Sequence, residues 1–336
     1  MSEVAGGQNK ETADNEAYQA RNRTHDEIRR SGAISSLNDG IEIATHGLST
    51  RLIAWPGNGF QTESVHVLTL RPGEASEMYR YDMAEEALLS LKGKGEVFLR
   101  GRWVEVEAGD IAFFPERVPH AVRNPKENGR DLVLVSAISP PPFDLYEPDG
   151  YYDKQHGMMN FEAIEDAQKT AKLGTLSTDN EMHPNESHPE LRAWNLDAED
   201  VRRAGALFNF YKGASANVLN VPMVFVLWPG YGVRATGLHT AHSAPGPGGD
   251  IHTHPVTDEL LILWSGKSRA YCGDRWHELD TYGCVMAPCG VHHGASDSEE
   301  SCLWGGFAAP PQLDLYLKTE YYEDGKFSQP PFTNLA

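Results

Sequence analysis

Apolar residues in this chain gather in short runs, such as "VFVLWPG", "LLILWSG" and "DIAFFPE", parted by Gly, Pro and Asp at close intervals. That spacing predicts antiparallel strands of a sandwich or barrel, and no alternation of strand with helix supports a parallel sheet. Between about 150 and 215 the pattern turns polar. There "NFEAIEDAQKTAKL" and "DAEDVRRAGALF" predict two short helices around a loop rich in His, Pro and Asn.

The strand pattern occurs twice. Trp55-Pro56-Gly57 recurs as Trp228-Pro229-Gly230, and the offset of 173 holds without a gap through the next segment: His66 meets His239, Glu86 meets Glu259, Gly93 meets Gly266 and His120 meets His293. After a three-residue deletion in the second copy, Asp144-Leu145-Tyr146 reappears as Asp314-Leu315-Tyr316. A tandem duplication follows, with one all-β unit per copy. The expected organisation is an N-terminal arm (1–45), a first barrel (46–150), a linker with short helices (151–215), a second barrel (216–325) and a tail (326–336) that reaches a neighbouring barrel or frays.

The second copy contains "GDIHTHPVTDELL", with His252 and His254 two apart and Glu259 five further on. In an extended strand His252 and His254 face the same way. His293 follows 34 residues after Glu259, beyond the turn Pro288-Cys289-Gly290, while His292 faces the opposite side. Imidazole nitrogens and a carboxylate make a mixed site suited to iron, manganese, cobalt, nickel or zinc. The first copy has Tyr79, Tyr81, Glu86 and His120 at the matching positions, so two of its four ligands are replaced by tyrosine and a packed aromatic core is expected there.

These residues resemble the cupin superfamily. Its first motif, His-x-His, three or four residues, Glu, six residues and Gly, is followed by His252, His254, Glu259 and Gly266; its second, ending Pro-x-Gly-x-x-His, is followed by Pro288, Gly290 and His293. Two departures, Gly283 one position out of place and Arg117 where a glycine is usual, touch turns and no ligand. The resemblance implies an all-β fold of two tandem jelly-roll barrels joined by a short helical linker, with one working metal site, in the second barrel. It also implies an enzyme, foremost an Fe(II) dioxygenase cleaving a phenolic or enolisable small molecule. The gentisate type uses three histidines, so Glu259 favours a quercetin-type ligand set. Oxygen-independent bicupins (manganese-dependent aminohydrolases, isomerases, oxalate enzymes) and a non-enzymatic binding bicupin are the alternatives. The expected cofactor is one divalent metal per chain, Fe(II) first, then Mn, Ni, Co or Zn. The expected partners are a small-molecule substrate, dioxygen and further copies of the chain. Substrate contacts are expected from Arg234 toward a carboxylate, His239 at the mouth, and Leu261, Leu263, Met286 and Trp304 on the wall. His242 is either at the mouth or in a solvated loop.

Composition narrows the classes. Of 336 residues, 29 are basic and 48 acidic, giving a formal charge of −19 with no Lys/Arg cluster, which argues against nucleic-acid binding. The start of the chain lacks the apolar core of a secretory signal and no apolar run is long enough to span a bilayer, so a cytoplasmic protein without membrane partners is expected. The cysteines Cys272, Cys284, Cys289 and Cys302 form no Cys-x-x-Cys pair and read as reduced thiols.

Overall fold

The computed structural model describes residues 15–335. Each copy builds a barrel from two antiparallel sheets. In the first, Glu85–Lys92 lies between Asp110–Phe114 and Leu132–Ser139, and the wall continues through Ser64–Leu70, Leu48–Ala54 and Ile41–Thr45. The facing sheet is Lys94–Leu99 with Arg102–Glu107 and Val122–Arg123. In the second, Asp258–Ser265 lies between Gly283–Ala287 and Cys302–Ala309, followed by Gly237–Ser243 and Val221–Leu227. Its facing sheet holds Ser268–Cys272, Arg275–Leu279, His293–Ser298 and Gly246–Gly248.

The segment expected as an arm is part of this architecture. Its first residues, 1–14, lie outside the described residues. Thr24 and Glu27 form a capping box on the helix His25–Ser31, after which Ala33–Ser36 pairs with Gly283–Ala287 of the second barrel. The second copy does the reverse. Asp197 caps the helix Ala198–Ala204, and Ala206–Asn209 pairs with Asp110–Phe114 of the first barrel. The two units sit 173 residues apart, as 206 − 33 shows, and "IRRSGAI" matches "VRRAGAL". The duplication thus begins about thirty residues before Trp55, and each barrel is completed by a strand from the other half.

The helix expected over "DAEDVRRAGALF" therefore stops at Ala204, and its last residues are strand. The break is made by Gly205, and in the first copy by Gly32. Both have positive φ, 77° and 71°, where a side chain is strained. A Cβ at Gly205 would lie 2.5 Å from the Phe113 carbonyl oxygen, and one at Gly32 2.8 Å from that of Met286.

Strand alternation divides the core. Leu88, Phe114, Leu134 and the exchanged Leu207 fill the first barrel, while Leu263, Val285, Trp304 and the exchanged Ile34 fill the second. The opposite faces, with Leu89, Phe113, Phe225, Trp264 and Phe307, merge into one large cluster shared by both halves. The tail packs on its own chain: Phe332 stacks on Tyr231 at 3.8 Å and Thr333–Asn334 pairs with Lys212–Val218. Among the described residues no helix is long and apolar enough to cross a membrane.

Candidate metal centre

His252 and His254 lie on the segment leading into Asp258–Ser265, and Glu259 is the second residue of that strand. His293 opens the strand His293–Ser298, and reciprocal backbone hydrogen bonds of 3.0 Å tie it to His252. One ligand atom from each of the four residues lies within 4.8 Å of the others, the one such group found among the described residues. Glu259, His254 and His293 are buried, and His252 is half-buried.

Neighbouring acceptors turn each imidazole the same way. His252 Nδ1 meets the Asp250 carbonyl at 2.9 Å, His293 Nδ1 the Val291 carbonyl at 2.8 Å and His254 Nδ1 the Asp314 carboxylate at 2.9 Å. Each contact leaves Nε2 directed inward. His254 Nε2 and His293 Nε2 lie 3.0 and 2.8 Å from Glu259 Oε2. Space for this carboxylate depends on Gly306, where a Cβ would lie 2.8 Å from Glu259 Oε1.

The electrostatics call for a cation. Burial opposes ionisation of Glu259, but hydrogen bonds from His254 and His293 hold its carboxyl well below the usual range. Burial also opposes charge on His254, yet Asp314 and Glu259 outweigh it and raise that imidazole to about 9. Burial, with His293 nearby, lowers His252 to about 4. A proton on His254 thus answers two carboxylates in a space lined by three imidazole nitrogens. A divalent ion bound by those nitrogens and Glu259 fits this donor set, and would displace that proton.

Above the cluster is a cavity with about 650 Å³ of empty space, its mouth included. Of the residues expected to contact substrate, His239, Leu261 and Trp304 line it. Three other expected contacts do not. Met286 pairs with Leu260 across the sheet and shares its outward face, in the cluster between the barrels. Leu263 points inward but sits deeper, packed against Ile34, Cys272 and Val285. The Arg234 side chain is exposed, and its backbone N–H donates to Glu85 at the junction of the halves. His242 and His292 are exposed.

Sequence reasoning missed Gln312 and Asp314, at the N-cap and within the short helix Leu313–Tyr316 after the last barrel strand, and the wall residues Leu219, Val221, Met223 and Leu315. Gln312 is buried, with Nε2 3.1 Å from His254 Nε2. The repeat of Asp144 as Asp314 was the available signal for the carboxylate.

Residues 66–136 match the Cupin_2 family model, described as a cupin domain. No curated protein is similar enough in sequence to count as a relative. Similar solved structures include the Ylba protein of E. coli, 12% identical over 84% of this chain and 91% of that one, with a TM-score of 0.52. Another is a mutant salicylate 1,2-dioxygenase from Pseudoaminobacter salicylatoxidans in complex with gentisate, 12% identical over 82% and 78%, TM-score 0.52. A third is the formate complex of oxalate decarboxylase from Lactobacillus farciminis, 15% identical over 85% and 90%, TM-score 0.50. Residues 66–136 are thus a cupin domain, and the chain as a whole falls in the fold class of two-barrel cupin proteins. Within that class it has the bicupin fold, with its His/Glu cluster in the second barrel.

Proposed function

We propose that the chain is a metal-dependent enzyme, an Fe(II) dioxygenase acting on a phenolic or enolisable small molecule at the second barrel. The observation that carries this reading is the convergence of His252, His254, Glu259 and His293 at the floor of a largely apolar cavity. A divalent ion held there would supply Lewis acidity toward a substrate oxygen and, as iron, electrons for dioxygen.

The remaining contributions belong to the chain. Asp314, the Val291 carbonyl and the Asp250 carbonyl fix the three ligand imidazoles before anything binds, which reduces the reorganisation that binding requires. Leu261, Met223 and Trp304 keep bulk water from the floor and hold a flat or aliphatic body against it. His239, whose Nε2 is 3.4 Å from Glu259 Oε1, stands where it can hold a proton near a substrate oxygen.

The test is metal content after anaerobic purification, followed by oxygen uptake with simple phenols and 1,3-diketones. About one iron per chain and an uptake abolished by His254→Ala are expected. Manganese without oxygen uptake would move the oxygen-independent chemistries ahead, and a chain that takes up no metal would overturn the reading.

A further inference from the structure

We infer that the second-barrel cavity selects a compact, uncharged molecule bearing a metal-seeking hydroxyl and a second, neutral oxygen beside it, and discriminates against carboxylates of the same size. The inference rests on the metal-dependent reading above and adds the charge and polarity of the ligand.

Wall chemistry is the first observation. Leu219, Val221, Met223, Leu261, Trp304 and Leu315 line the cavity, and neither lysine nor arginine does so among the described residues. Arg234, the cation the sequence offered as a carboxylate partner, lies at the junction of the halves. The charged groups of the floor are acids, Glu259 and, behind His254, Asp314. A divalent ion with its ligand Glu259 leaves about one positive charge at the ion, enough for one directly bound oxyanion, and Asp314 behind His254 offsets that charge for anything farther away. A carboxylate elsewhere on the ligand would be taken from water into an apolar wall with no counter-charge, a strongly unfavourable transfer.

Neutral polar groups are the second observation. Trp304 Nε1 and His239 Nδ1 are both buried without a hydrogen-bond partner, on residues that line the cavity. Each residue is only 8% exposed. Buried donors and acceptors are rarely left unpaired, so a cavity carrying two of them suits a ligand that can answer them. The Gln312 amide adds a neutral group within 3.1 Å of His254 Nε2. An indole N–H, a neutral imidazole and an amide match a hydroxyl or carbonyl oxygen and give a carboxylate no charge in return. Catechols and enolised 1,3-diketones meet these conditions. Gentisate, held by one protein of similar fold, carries a carboxylate and does not.

The experiment is anaerobic titration of the full chain loaded with Co(II), followed by the visible ligand-field spectrum. The probes form matched pairs: catechol against 2,3-dihydroxybenzoate, and acetylacetone against acetoacetate. The uncharged member of each pair is expected to bind at least about tenfold more tightly, and Ser296→Lys, at a half-buried wall position, to shrink that gap severalfold. Carboxylates binding equally well or better in the unaltered chain would overturn the inference, as would a gap that Ser296→Lys leaves unchanged. The failures are distinguishable. A chain that takes up no cobalt overturns the metal reading together with the inference. A chain that prefers catechol, yet consumes no oxygen when loaded with iron, upholds the selectivity and overturns the dioxygenase chemistry alone.

Discussion

The two barrels hold the same glutamate and histidine at the same register, yet among the described residues only the second gathers a group of four that could hold a metal. Glu86 and Glu259 occupy equivalent places, as do His120 and His293, each histidine placing Nε2 2.8 Å from its glutamate. In the first barrel Tyr79 donates to Glu86 Oε2 at 3.0 Å and Ser136 to Oε1 at 2.6 Å. His46 stacks on Tyr79 at 3.6 Å and meets the Tyr81 hydroxyl at 2.9 Å. In the second, His252 and His254 replace the tyrosines, and Gly306, paired opposite His239 as Ser136 is opposite His66, replaces the serine. The first barrel's equivalent place is filled: hydroxyl donors satisfy its carboxylate and aromatic rings take up its space. A centre needs room and unsatisfied acceptors as much as it needs ligands.

The most severe way to break this contrast is to write the first barrel into the second. The double substitution His252→Tyr with His254→Tyr should take metal content from about one per chain to about zero. The circular dichroism spectrum should stay unchanged, because the first barrel already folds around tyrosines at these places.

The junction sharpens the comparison next. Asp258, one residue before Glu259, accepts from Arg29 Nη1 at 2.8 Å, from the backbone N–H groups of Gln61 and Thr62, and from that of Cys289 in the turn leading to His293. Glu85, its counterpart, is held by Arg202 and by the N–H groups of Arg234 and Ala235. Arg29→Met and Arg202→Met should each lower stability by about 3 kcal/mol in denaturant unfolding, since each leaves a buried carboxylate without its cation. Only Arg29→Met should also weaken metal binding, severalfold, because only Asp258 neighbours a ligand.

A smaller effect separates the repeated aspartates. Asp314→Ala should reduce metal affinity about 10- to 100-fold by freeing the His254 ring. Asp144→Ala should leave affinity unchanged, since that exposed carboxylate pairs with Lys154. Competition with a chelator measures both.

The smallest effect lies where the halves meet. Glu63 accepts from Thr236 at 2.9 Å, and its other oxygen has no partner. Burial, more than that hydrogen bond can offset, raises its carboxyl well above the usual range. A raised acid binds its proton more tightly in the folded state, so stability is lost as pH climbs above the unfolded carboxyl's value. Glu63→Gln should therefore add about 1 kcal/mol, or roughly 2 °C in Tm, at neutral pH, and the gain should vanish toward pH 4.

The cluster of His252, His254, Glu259 and His293 was legible as a group because the first three are nearly contiguous and the first copy carries other residues at two of the four places. Asp314 and Gln312 were not, since they arrive on a one-turn helix some sixty residues downstream of His254. Met286 was misplaced because a short apolar strand buried on both faces, here all five residues of Gly283–Ala287, carries no alternation to mark which side is in. The strand exchange was written in "IRRSGAI" and "VRRAGAL", but a pattern within one copy cannot say which barrel a strand will join.

That exchange has a consequence for ancestry. A single-copy ancestor lending its leading strand to a partner would have been a symmetric dimer, with both centres altered by every mutation. Joining the two copies in one chain removed that constraint. One barrel could then lack the ligands and still supply a strand of the other's wall.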